Sequence, residues 1–301
     1  MHGLTAMILC CVLAAALPLA ASAQAPASGS APLQTQGWEA VGRLDIDGKR
    51  FCTGSLIARD VVLTAAHCLY DRDSGARVAP ERITFRAGLR DGAALAERSA
   101  VVAVHPPRYV FGGAGATRAS PYDLALLKLS APVGIEVQPF AVMRGAATGD
   151  SVGIVSYARG RSEAASLQEV CAVLGREEEL VVLSCEVDFG ASGAPVFRLD
   201  GETPRLVSIV SAKAEMEGQP VAVGVALDET LQALMVQLSP ADPGTLVAGL
   251  PAPQSPTDGA QDAAAPLPEG LVSSFRSLAP ASVRVLRAGE RSDTGARWVR
   301  P

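Results

Sequence analysis

Between residues 38 and 226 the apolar residues come in short runs, and Gly, Pro, Asp or Ser cuts each run within a few positions. The segments Val61-Val62-Leu63, 83 to 88, 100 to 104, 124 to 129, 152 to 157, 180 to 183, 206 to 210 and 221 to 226 read as strands. Many short strands with turn residues between them, and no strand–helix–strand alternation, restrict this block to an all-β sandwich or barrel. Hydrophobic residues make up 49% of the 301, enough to fill a sizeable core. One helix is expected where the block ends. Asp228 can cap it, Leu231, Leu234, Met235 and Leu238 follow i, i+3, i+4, i+7 spacing, and Ser239-Pro240 stops it.

The two ends of the chain have other compositions. Residues 3 to 21 are almost all apolar or small, and Ala21-Ser22-Ala23 before Gln24 is an A-x-A cleavage site. Residues 1–23 therefore read as a signal peptide, although the leading segment carries no Lys or Arg. Residues 24–37 form a short N-terminal segment, and the expected location is secreted or periplasmic. Residues 239–270, rich in Pro, Ala, Gly, Asp and Gln, read as a linker. Residues 271–301 form a basic tail containing Arg276, Arg284, Arg287, Arg291, Arg297 and Arg300. Such a tail either hangs free, docks on its own domain, or meets an anionic envelope surface. The formal net charge of -5 weighs against a nucleic-acid partner.

Signal removal takes away Cys10 and Cys11 and leaves Cys52, Cys68, Cys171 and Cys185. An even number of cysteines in an exported chain implies disulfides, with three connectivities open. Sequential pairing would close two short loops. The close Cys-x-x-Cys pairs of zinc sites are lacking, so no metal is expected.

Three residues carry the chemical reading. A serine hydroxyl needs a base, a group that orients the base, and donors for the developing oxyanion. Ser192 lies between Gly190 and Gly193 in Gly-Ala-Ser-Gly-Ala-Pro, a string that permits a sharp turn. The amides of Gly190 and Ser192 are the expected oxyanion donors. His67 follows an apolar strand and precedes Cys68, which places it on a fixed corner. His105, in His-Pro-Pro-Arg-Tyr, reads as a surface turn and is the weaker candidate base. Asp123, at the mouth of Leu-Ala-Leu-Leu, can orient His67. The nucleophile elbow Gly-x-Ser-x-Gly of α/β-hydrolases is not met, because residue 194 is Ala, and the order His, Asp, Ser differs from that fold.

The strings Cys52-Thr53-Gly54-Ser55-Leu56-Ile57, Val62-Leu63-Thr64-Ala65-Ala66-His67-Cys68, Asp123-Leu124-Ala125-Leu126-Leu127 and Gly190-Ala191-Ser192-Gly193-Ala194-Pro195 resemble those of the trypsin-like serine proteases of the chymotrypsin fold. The resemblance covers residues 38–238. It implies two antiparallel six-stranded β-barrels with the site between them, His67 as base, Asp123 as orienter, Ser192 as nucleophile, and Ser211 as support for the aspartate. It also implies a polypeptide substrate, no cofactor, and a monomer. By the same resemblance Glu186, Lys213 and Gly224 fall near the primary substrate pocket. Two features depart from the animal digestive members. Ala191 stands where they have the aspartate that pairs with a new amino terminus, and no Ile-Val-Gly-Gly junction precedes Trp38. The oxyanion loop is thus expected to form without that ion pair, as in bacterial glutamyl-endopeptidase-like relatives, with Asp188 as a candidate reinforcement. A protease fold that only binds peptides, as an envelope binding module, is the alternative function. An esterase would share the chemistry.

Overall fold

The computed structural model describes residues 31–32, 37–113, 119–201, 203–238 and 283–285. The expected signal peptide, most of the 24–37 segment, the linker, and the tail apart from 283–285 lie outside the described residues. In chain order the strands are β1 (Ala31–Pro32), β2 (Val41–Ile46), β3 (Arg50–Ala58), β4 (Val61–Thr64), β5 (Ile83–Ala87), β6 (Ala96–Val104), β7 (Ala125–Leu129), β8 (Ser151–Ala158), β9 (Arg161–Glu177), β10 (Leu180–Leu183), β11 (Pro195–Arg198), β12 (Arg205–Met216), β13 (Gln219–Ala226) and β14 (Val283–Val285). A single α-helix, α1 (Glu229–Leu238), follows β13.

Strands β2 to β7 close into a barrel in the order β2-β3-β4-β7-β6-β5. Strands β8 to β13 form a second, in the order β9-β10-β13-β12-β11-β8, closed by pairing of β8 with β9. Every one of these pairings is antiparallel. This is the expected chymotrypsin-like pair of six-stranded barrels. The short strands β1 and β14 add to β9 and β12 from outside the barrels.

Alternation explains the strands with one wet face. In β5, Ile83, Phe85 and Ala87 are buried while Thr84 and Arg86 are only partly so. Strand β8 does not alternate, since all its residues after Ser151 are buried. One face fills its own barrel, with Val152 and Ile154 packed among Val196 and Val207. From the other face, Val155 and Tyr157 join the core of the first barrel. The barrels thus share a dry seam. Tyr157 Oη donates to the Leu89 carbonyl across it at 3.0 Å. Trp38 packs on both Phe140 and Phe197, with ring centroids 6.0 and 4.9 Å away.

All eight expected strands are present, and the one at 206–210 extends to Met216. Of the barrel strands, β2, β3, β9 and β11 were not anticipated, nor were the outer strands β1 and β14. The β2–β3 hairpin turns on Asp47-Gly48, both at positive φ (56° and 64°). That backbone matches the right-handed strand twist and suits an Asp-Gly pair, so the signal was available in the sequence. Strand β9 escapes notice because Arg161, Glu163, Glu169, Arg176 and Glu177 interrupt its apolar residues. The helix forms where expected. Leu231 and Leu234 are buried in the first barrel's core, so α1 lies back against the barrel that begins the fold.

The disulfides are Cys52–Cys68 and Cys171–Cys185, the sequential pairing. The first joins β3 to the turn that carries His67. Replacing both Cys52 and Cys68 by Ala should cost roughly 3 kcal/mol, the loop-closure value for a loop of this size. Equilibrium urea unfolding reads the loss as a lower midpoint. An unchanged midpoint would show that the bond does not constrain the unfolded chain.

Candidate active site

Strand β4 ends at Thr64, and the chain enters a 3₁₀ turn at Ala66–Leu69. Ala66, Cys68 and Leu69 are buried, which leaves the His67 imidazole at the surface of the seam. Strand β7 pairs beside β4, with Ala125 opposite Thr64, so Asp123 arrives next to His67 although 56 residues separate them. Asp123 is only 4% exposed. Its Oδ1 accepts the His67 backbone N–H at 2.8 Å, and its Oδ2 accepts from His67 Nδ1 at 2.7 Å. Ser211 Oγ donates to the same Oδ2 at 2.5 Å. With its Nδ1–H donating to the carboxylate, a neutral His67 ring keeps its lone pair on Nε2. Ser211 sits at a register shift between Val210 and Ala212, a bulge that turns its hydroxyl out of the β12 ladder.

Burial by itself would raise the Asp123 carboxyl. The charge of His67 and the hydrogen bonds from His67 and Ser211 outweigh it and hold the group below the ordinary carboxylate range.

Ser192 lies in the turn before β11. Its carbonyl accepts the Thr53 N–H at 2.9 Å. The Thr53 hydroxyl donates to the Gly190 carbonyl at 2.9 Å and accepts the Tyr157 N–H at 3.1 Å. Thr64 Oγ1 donates to the Thr53 carbonyl at 2.9 Å. The first barrel thereby grips the serine turn beside the end of β4, the strand that delivers His67. Gly193 makes the close approach possible. Its φ is +75°, and a Cβ there would lie 2.5 Å from the Thr53 carbonyl and 2.8 Å from the Ala65 nitrogen. Gly190, at φ +100°, lies so close to the Phe51 ring that a Cβ would stand 2.2 Å from it.

The amides of the turn divide into two sets. Ala191 N–H donates to the Asp188 carbonyl at 3.0 Å and Gly193 N–H to Val210 at 2.7 Å. Among the described residues, no backbone carbonyl accepts from Gly190 or Ser192, the two expected oxyanion donors. Ala191 is fully buried. Backbone bonds hold the loop, and the Asp188 carboxylate adds to them by accepting the Phe189 N–H at 2.7 Å.

Three residues were expected near the substrate pocket, Glu186, Lys213 and Gly224. Lys213, on β12 two residues beyond Ser211, is half-buried. Desolvation lowers its pKa to about 8, against the opposing pull of Asp188 and Glu186. Glu186 is exposed. Gly224 fills a packing role, because a Cβ there would stand 2.4 Å from Ser208 Oγ. His105 has both ring nitrogens engaged, by Tyr70 Oη at 2.7 Å and the Pro106 carbonyl at 2.9 Å. Cys52, His67 and Cys68 cluster tightly enough to suggest a metal, but the two sulfurs are bonded to each other and offer no thiolate.

A family model described as a trypsin-like peptidase domain matches residues 52–204. The chain belongs to the trypsin-like peptidase family. Solved structures similar to it include a Glu endopeptidase in complex with MPD, with TM-score 0.58 and 19% identity over 69% of this chain and 95% of that one. A thermostable serine protease, AL20, from an extremophilic microorganism gives TM-score 0.54 at 16% identity, over 65% and 95% of the two chains. Neuropsin, a serine protease expressed in the limbic system of mouse brain, gives 0.54 at 16%, over 68% and 97%. At these identities the likeness establishes the fold. No curated protein sequence matches the chain.

Thr53, in the string Cys52-Thr53-Gly54, joins the site in a way its neighbours do not signal. It is buried, and its backbone and hydroxyl bond to both Ser192 and Gly190. A threonine flanked by Cys and Gly carries no sequence signal for such a contact. Thr53→Val keeps the shape but leaves the Gly190 carbonyl and Tyr157 amide unpaired. It should destabilise by roughly 1–3 kcal/mol in urea unfolding. A second prediction concerns acid. The Asp123 pKa is lowered on folding, so its stabilisation is complete above the unfolded range, about pH 4, and disappears as pH falls through the folded value. Asp123→Asn should flatten the stability loss on that acid limb. An unchanged pH slope would mean that the carboxylate is not linked to folding.

Proposed function

We propose that this protein is an exported serine endopeptidase that cleaves peptide bonds through an acyl-enzyme. The observation that carries the reading is the buried Asp123 carboxylate, which receives the His67 amide, the His67 ring and the Ser211 hydroxyl while the Ser192 turn is held beside that ring's strand. Family membership supports peptidase chemistry, and two disulfides suit an oxidising, extracytoplasmic location.

In this mechanism Ser192 Oγ attacks the carbonyl carbon of the substrate, and its proton passes to His67 Nε2. The Gly190 and Ser192 amides stabilise the oxyanion of the tetrahedral intermediate. Asp123 fixes the tautomer and stabilises the imidazolium. Collapse breaks the C–N bond as His67 protonates the leaving amine. Water then enters, gives its proton to His67, attacks the acyl carbon, and expels Ser192 Oγ, which recovers a proton from His67. In this reading the loop forms without a new amino terminus, which the bonds from Thr53 and to Asp188 and the burial of Ala191 support.

By the precedent of other Ser-His-Asp enzymes, Ser192→Ala should lower turnover by about 10⁶ and Asp123→Asn by about 10⁴. Peptide-hydrolysis assays measure both. A fluorophosphonate should label the wild type and not Ser192→Ala. A folded wild type that takes no label would assign the chain to the peptide-binding class instead.

A further inference from the structure

Three arginines from the two barrels gather beside the serine turn. Phe189, in the approach to Ser192, lies under two of them. Arg159 Cζ stands 4.9 Å from its ring centroid and Arg72 Cζ 5.8 Å, both within cation–π range. The Arg159 N–H also donates to the Phe189 carbonyl at 2.8 Å, which ties the turn between β8 and β9 to the serine turn. Arg50 opens β3 and donates to the Tyr70 carbonyl and, at 3.0 Å, to the Cys68 carbonyl. It thus holds the turn that leaves His67, and just beyond Tyr70 that turn reaches Arg72. Its neighbour Phe51 lies against Gly190, one of the expected oxyanion donors.

Arg50, Arg72 and Arg159 are half-buried, and their charges act on one another. Burial, and after it the Arg159 charge, lowers the Arg72 pKa. Burial, and after it the Arg72 charge, brings Arg50 down to about 10, with Asp71 pulling the other way. Both stay cationic at neutral pH. The nearby acids are engaged elsewhere. Asp71 accepts the Asp73 and Ser74 amides and the Ser74 hydroxyl. Asp188, next to Phe189, pulls on Arg161 and Lys213. Among the described residues, no carboxylate acts on Arg72. Like charges gathered this way repel, and a carboxylate placed among them relieves the repulsion. The planar guanidinium also matches a carboxylate in shape.

In the peptidase reading above, His67 protonates the departing amine. The leaving half of the peptide therefore starts at the turn of His67, which runs on through Tyr70 to Arg72. We propose that Arg50, Arg72 and Arg159, drawn together around Phe189, form a recognition surface for an acidic side chain, Asp or Glu, in the two residues that follow the scissile bond. Selection during turnover rests on the peptidase reading, whereas capture of an acidic peptide does not. Arg72 and Arg159 supply the contact, and Arg50 holds the turn in place and adds its charge. A lysine or arginine of the substrate at the same place meets like charge and is rejected.

The test uses the full chain in three forms: wild type, Arg72→Gln, and the double variant Arg72→Glu/Arg159→Glu, with a urea midpoint for each as the check on folding. In the first arm a mixed peptide library is digested and the new ends are read by mass spectrometry. Wild type should place Asp or Glu in the two positions after the cut at least tenfold more often than Lys or Arg. That ratio should drop at least threefold in Arg72→Gln and fall below one in the double variant. In the second arm each form also carries Ser192→Ala, so that nothing is cut. Fluorescence anisotropy then follows a labelled Glu-rich peptide and its Gln counterpart. With the arginines intact the Glu peptide should bind at least tenfold more tightly and weaken as salt rises. The advantage should drop at least threefold in Arg72→Gln and vanish in the double variant. Cutting without an acidic preference, or a preference that both variants keep, overturns the selection and leaves the peptidase reading intact. A wild type that cuts nothing and takes no fluorophosphonate removes the peptidase reading, and the second arm then decides the surface alone. Equal binding of the two peptides there, or an advantage that both variants keep, overturns it. If the double variant does not fold, Arg72→Gln decides both arms.

Discussion

A carboxylate buried at the seam of two barrels organises this protein. Asp123 is ionised in a place where burial alone would neutralise it, and it stays so because donors converge on it from both sides. The first barrel supplies the His67 amide and ring, and the second supplies the Ser211 hydroxyl. A buried charge with a missing partner is strongly destabilising. The barrels therefore have to meet in one relative position, and that position is the one that assembles the site.

The serine turn obeys a similar rule with neutral groups. Thr53 reaches across the seam with its amide and hydroxyl, and Gly193 lets the turn come close enough to receive them. The turn's conformation follows from barrel packing and from the Asp188 bond to Phe189. Buried Ala191 asks for no ion pair where the animal digestive enzymes have one.

Most of the architecture was legible because its strands alternate or run continuously apolar between turn residues. Where the pattern failed, the reason is local. The polar residues of β9 break up its apolar run. Strands β2 and β3 are joined by Asp47-Gly48, a turn signal in a stretch whose apolar residues are sparse. The chemistry of the site was legible in residue type, because Ser, His and Asp stood in strings with distinctive neighbours. The pocket residues carry no comparable string. Glu186 stands exposed, Gly224 is spent on packing against Ser208, and Lys213 is half-buried under the influence of two acids.

By itself the sequence determined the period of its elements, the residues able to do acyl-transfer chemistry, and an even set of cysteines. These depend on properties of neighbours in the chain. Tertiary structure alone decided which of the three cysteine connectivities forms, how Thr53 reaches the serine turn, and how the two barrels converge on Asp123. Each of those is a contact between segments far apart in the chain, and only closure of the two barrels sets the distances between them.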